Sequence, residues 1–150
     1  MYKELIQTAA KAKNKLSDDA CESIMAFISS MQNPDGGFCG RNSAQSDLYY
    51  AVFATLSSIA LTGSVPDGLP AYSLSFKNPQ ELDLIHLCSL IRVSAACQIA
   101  ENGSELLDLI ESYRSCDGGY NHIRKEAKES TPYGVFLAFS AYKDMGKNIL

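Results

Sequence analysis

An all-α fold of paired helices is what the sequence predicts, and three observations lead to it. No run alternates apolar and polar residues between turn signals, so strands are not expected. Two segments, Leu48–Leu61 and Leu82–Cys97, are nearly apolar all round, whereas the segments ahead of such stretches carry apolar residues only at helical spacing. A tight turn, Gln32-Asn33-Pro34-Asp35-Gly36-Gly37-Phe38, recurs as Arg114-Ser115-Cys116-Asp117-Gly118-Gly119-Tyr120. Helix pairs repeating at roughly 35 to 45 residues read as an α/α solenoid or toroid.

Taken in order, residues 2–15 place Leu5, Ile6, Ala9 and Ala10 on one face, with Glu4 and the lysines elsewhere, as in a surface helix. Ser17 is a cap for the next helix, Asp18 and Asp19 suit its positive end, and Ile24, Phe27, Ile28 and Met31 form its expected buried stripe. Asp35 can accept backbone N–H groups just ahead of it, and Gly36 and Gly37 can take positive φ, so the chain stops and reverses. Phe38 and Tyr120 follow the glycines as aromatic plugs. No Lys-Ser or Lys-Thr comes after the glycines, so a phosphate-cradling loop is disfavoured against a plain turn.

Leu48–Leu61 reads as an inner helix that must be covered on every side. Residues 63–70 hold two prolines and two glycines and read as a loop, followed by a short outer helix over Ala71–Phe76. Asn78-Pro79-Gln80-Glu81 signals the start of the second inner helix, Leu82–Cys97. Asn102 or Ser104 caps a third outer helix that buries Leu106, Leu107, Leu109, Ile110 and Tyr113 and leaves Glu105, Asp108 and Glu111 wet. After the second turn, Asn121–Lys128 is a charged loop, and Thr131-Pro132 restarts a helix that runs to about Gly146. Outer and inner helices thus alternate three times, the middle copy lacking its Asp-Gly-Gly turn.

Size and charge narrow the function classes. The 150 residues suit one domain, residues 1–150, burying roughly two-thirds of the surface of the unfolded chain. The net charge is −4 and the basic residues are scattered apart from Lys11, Lys13 and Lys15, which argues against a nucleic-acid surface. Five cysteines without CxxC spacing, and an N-terminus without a signal-peptide apolar core, imply free thiols and a cytoplasmic setting. No apolar run approaches the roughly 18 residues of a membrane span.

The stretch from Gln32 to Leu61 resembles the prenyltransferase and squalene oxidase repeat of protein prenyltransferase β subunits and squalene–hopene cyclases. The likeness rests on the Gln, the Gly-Gly-Phe and the Ser46-Asp47-Leu48-Tyr49-Tyr50 helix start. In the second copy Arg114 replaces the Gln and Pro132 alters the helix start, so the match there is weaker. The resemblance covers most of residues 18–146. It implies an α/α barrel of about six helix pairs around an isoprenoid cavity, of which about three pairs are present, hence a toroid or a partial, half α/α barrel. A half barrel leaves apolar inner helices uncovered, so a protein partner or a homo-oligomer is expected to complete it.

The resemblance also implies a zinc site, with an Asp and a Cys two residues later at one inner-helix start and an Asp-x-x-His at the next. Asp47 and His86 match, but Tyr49 stands at the Cys position. Two ligands are fewer than the three protein ligands of a catalytic zinc. The bland reading has Asp47 favouring a helix dipole and His86 hydrogen-bonded in the interior, so no cofactor is expected, zinc being the one the resemblance admits. The Asp-x-Asp-Asp acid of the cyclases is missing, and Ser17-Asp18-Asp19 is no substitute. His122, with Arg124 and Lys125, could attract a diphosphate, although such a loop is more often solvated. Tyr49, Tyr50, Phe53, Phe136, Phe139 and Tyr142 are the candidate lining of an isoprenoid cavity, against simple inner-helix packing. No catalytic residue is assigned. The expected function is a non-catalytic repeat module that binds a protein partner or completes a ring by self-association. The alternative is part of an isoprenoid-diphosphate transferase or cyclase.

Overall fold

Helix starts in this chain have local chemical causes, and they organise the fold. The computed structural model describes residues 2–41, 43–99 and 103–149, with side chains in the first helix from Ile6 onward. Seven α-helices run through these residues: α1 (Tyr2–Lys13), α2 (Asp18–Ser30), α3 (Leu48–Thr62), α4 (Leu69–Leu74), α5 (Leu84–Ala96), α6 (Gly103–Glu111) and α7 (Pro132–Asp144). No strand occurs among the described residues, only the isolated bridges Gln32–Phe38 and Arg114–Tyr120. The class is all-α.

Ser17 caps α2 by accepting the Ala20 N–H at 3.3 Å, and Asp47 and Thr131 cap α3 and α7. The second apolar helix begins later than the sequence suggests. Asn78 makes no side-chain cap, Pro79–Glu81 forms a single 3-10 turn, and Asp83 caps α5 through the His86 N–H at 2.9 Å. The short helix expected at Ala71–Phe76 starts at Leu69, because Gly68 takes a left-handed φ of 78° and turns the chain there. Ser104 lies inside α6, while Asn102 and the side chains of Glu4 and Leu5 lie outside the described residues.

Contacts divide the chain into two compact units, Met1–Ser75 and Phe76–Leu150. In the first, α1 and α2 pack on α3, and the core holds Phe38, Leu48, Ala51, Val52, Leu69 and Tyr72. In the second, α5 and α6 pack on α7 and on each other around Leu84, Leu87, Ile91, Ile110, Tyr120 and Ala138. Each unit therefore runs helix, helix, Asp-Gly-Gly turn, helix, and the first adds the short α4.

The expectation of helices covered all round is only partly met. On α5, Leu84, Leu87, Cys88, Ile91 and Val93 are all buried. On α3, by contrast, Tyr50 and Phe53 are exposed, and on α7 so are Val135, Phe136 and Phe139. Within the first unit α3 has helices on only part of its circumference, which leaves its remaining side to solvent. The stripe assigned to α2 is corrected too: Ile28 is buried, but Ile24 and Phe27 are exposed.

Candidate functional site

The two turns share one pattern of backbone hydrogen bonds. Gly37 N donates to Asp35 Oδ1 at 2.9 Å, and Gly119 N to Asp117 Oδ1 at 3.2 Å. Gln32 Nε2 donates to Gly36 O at 3.1 Å, and Arg114 Nη1 to Gly118 O at 2.9 Å. Asp47 N donates to Phe38 O, and Thr131 N to Tyr120 O, so each turn is tied to the cap of the following helix. The paired glycines do different jobs. Gly36 and Gly118 have φ of 85° and 87°, in the left-handed region. Gly37 and Gly119 leave room, since a Cβ on them would stand 2.6 Å from Ser46 Cβ and 2.4 Å from Ser130 Cβ, and Gly36 does both, since its Cβ would stand 2.3 Å from Gly68 O. Hydrogen bonds from Ser115 and from the Ser130 and Gly119 amides hold the Asp117 carboxyl well below the usual carboxylate range. Phe38 and Tyr120, 2% and 1% exposed, are driven into the two cores by this geometry.

In the first unit α2, α3 and the loop after Phe38 enclose an apolar cleft of about 570 Å³. Phe27, Met31, Phe38, Tyr50, Phe53 and Ala54 wall it, and Arg41 stands at its edge with its guanidinium 5.9 Å from the Phe27 ring centre. Phe27 and Phe53 remain 51% and 50% exposed, more than a core side chain of their size. Tyr49 braces this wall, its ring edge-on to Tyr50 at 5.7 Å and to Phe53 at 4.9 Å.

Of the six aromatic residues proposed from the sequence, then, Tyr50 and Phe53 line the cleft and Tyr49 supports them. Phe136 and Phe139 belong to the second unit, where they are exposed on α7. Phe136 stacks on Tyr133 and Lys143 Nζ lies 5.7 Å over Phe139. Tyr142 is buried, and its hydroxyl donates to Glu111 Oε1 at 2.6 Å, so its chemistry is that of a core hydrogen bond. Phe27, Met31 and Arg41 were not singled out as lining, because the helical period alone assigns Phe27 and Met31 to the core.

Glu111 is likewise drawn in rather than left wet. Besides Tyr142, it accepts the Tyr120 hydroxyl on Oε1 at 2.6 Å and Arg114 Nε on Oε2 at 2.6 Å; Arg114 Nη2 also donates to the Tyr120 oxygen. Burial alone would raise the Glu111 pKa, but these three partners hold it below the usual carboxylate range. The Tyr142 hydroxyl is pushed up to about 12 by burial and by the Glu111 charge. The i,i+3 spacing of Glu111 and Arg114 is the one sequence signal that could have revealed the network.

Asp83 and His86 are bound to each other, with Nδ1 of the ring 2.7 Å from the Asp83 carboxylate. Asp47 lies in the first unit, where its carboxylate receives the Tyr49 N–H at 2.7 Å. Among the described residues no three His, Cys, Asp or Glu side chains converge as a metal would require. Tyr49, at the position where the pattern has a Cys, supplies no third ligand of that kind. His122 Nδ1 lies 2.7 Å from Thr131 Oγ1 and Lys125 Nζ lies 5.0 Å over the Tyr113 ring, so this basic loop is fastened to its own unit. The five cysteines are free thiols, and no described helix is long and apolar enough to cross a membrane. No protein-family model, curated protein or solved structure matches the chain.

Proposed function

We propose that this chain is a non-catalytic binding module of the prenyltransferase-repeat kind. Its first unit takes apolar side chains of another polypeptide, foremost a second copy of itself, into the cleft between α2 and α3. The observation that supports this reading is the cleft wall, where Phe27, Tyr50 and Phe53 stay exposed beside one another. Exposed apolar surface of that kind marks sites of association. Light scattering of the full chain over a range of concentrations tests it. A molar mass that rises with concentration, and a Phe53→Glu variant that stays monomeric, is the expected result. Wild-type protein that remains a monomer throughout removes self-association.

A second reading draws on Arg41. An apolar cleft with one cation at its edge also suits an isoprenoid chain with a diphosphate head. Saturable binding of farnesyl diphosphate that Arg41→Ala weakens would favour that reading over the first.

A further inference from the structure

The exposed side of α2 carries opposite charges at its two ends. Asp18, Asp19 and Glu22 stand in its first turns, and the helix itself holds no Lys or Arg. At the other end Arg41 comes in from the loop after Phe38 and sets its guanidinium over the Phe27 ring. All of these charged residues are exposed. The ion pairs found among the described residues, Asp83–His86, Arg92–Asp144 and Glu111–Arg114, use none of them.

Between the charged ends the surface is apolar or small. Ile24 is 37% exposed next to Phe27, and the exposed Ser23 and Ala26 add little bulk. Asp19, Ser23 and Phe27 follow one another at i, i+4 and i+8 on one face. At 1.5 Å of rise per residue, Asp19 and Phe27 lie about 12 Å apart, with Ser23 midway.

We infer that two copies of this chain pair through α2, antiparallel about a two-fold axis beside Ser23, so that Arg41 of each copy meets the partner's Asp19. The inference rests on the self-association proposed above and supplies its geometry. A two-fold contact sets one patch against itself, residue i on j and j on i. On this patch only the antiparallel sense brings unlike charges together. A parallel pair sets Arg41 against Arg41 and acid against acid, which is repulsive. Antiparallel helices also place their dipoles head to tail. Small side chains at Ser23 and Ala26 let the two axes approach to about 8 Å, the near end of the usual range. The half of Phe27 left in water is then covered by the partner's α2, around Ala20. The net charge of −4 repels two copies at long range, so a contact that sets cations on acids is favoured over one that does not.

The test reverses the charges in the full chain and measures the dimer constant by sedimentation equilibrium. Arg41→Glu and Asp19→Arg should each weaken association about tenfold, because two exposed pairs worth up to about fivefold each are lost. Helix content by circular dichroism should stay that of wild type in both. The double variant should recover wild-type association. So should an equimolar mixture of the two single variants, since each mixed dimer again holds two unlike pairs; a pairing within one chain gives no such recovery on mixing. At about 1 M salt, where screening acts within about 3 Å, the differences should shrink. Wild-type protein that stays a monomer overturns this geometry together with the reading it rests on. Association that is unchanged in both single variants, that grows beyond a dimer, or that fails to recover in either the double variant or the mixture overturns the α2 pairing alone and leaves self-association standing.

Discussion

Replacing Glu111 with Ala removes the acceptor on which the second unit's turn and last helix converge. Three hydrogen bonds of 2.6 Å end on its carboxylate, from Arg114, Tyr120 and Tyr142. Bonds to a charged group are worth about 1.5–3 kcal/mol each. The full sum is not expected, because the Glu111 side chain is 32% exposed and water can resolvate Arg114. What water cannot readily mend is the pair of phenol hydroxyls, both on buried residues, left without an acceptor. A loss of about 2–3 kcal/mol follows. With a urea m-value of about 1–2 kcal/mol/M, the midpoint should fall by about 1.5 M. The pH dependence has a definite sign. The folded pKa of Glu111 is lowered, so its contribution is present above the unfolded carboxylate value of about 4.3 and is lost as pH falls through the folded one. Urea melts monitored by circular dichroism at pH 7 and pH 3 measure both effects. A Glu111→Ala midpoint within about 0.3 M of wild type at pH 7, or an equal difference at both pH values, would refute the reasoning.

Three further outcomes are expected. Gly37→Ala should destabilise by about 2–4 kcal/mol in thermal melts, since its Cβ would meet Ser46 and Tyr72 at 2.6 Å, whereas Gly63→Ala, in open space at a φ of 80°, should cost only about 1 kcal/mol. Cys116, exposed, should react first with a thiol reagent at pH 8, and Cys88, buried and with its pKa pushed up by desolvation, only on unfolding; prompt labelling of all five thiols would contradict this. Thr131→Ala should lower stability by about 1 kcal/mol by uncapping α7, and it should also shift the His122 ring signals in NMR, because Thr131 Oγ1 serves both.

Local chemistry made much of this protein legible in its sequence. Ser17 capping α2 and the absence of strands among the described residues follow from interactions within a few residues, which spacing and residue type express directly. The start of α5 was misread for a local reason too: Asn78-Pro79 and Asp83 both carry start signals, and the later one wins because its carboxylate reaches both the amide and the ring of His86. Which side of each apolar helix is covered was not legible. Phe27 and Phe53 have the hydrophobicity of core residues, and only the number of neighbours around α2 and α3 leaves them exposed.

What the chain determined by itself is its helices and its two Asp-Gly-Gly turns, because capping, helical period and glycine's freedom act over a few residues. Tertiary structure alone decided that Tyr142 joins Glu111, Arg114 and Tyr120, and that Ser29, Gln32, Phe38 and Ser58 line a pocket in the matching place of the first unit. The reason is that Glu111 and Tyr142 lie thirty-one residues apart, on α6 and α7. Only packing brings two such helices to the separation at which a carboxylate and a phenol can bond, or at which two serines fall short.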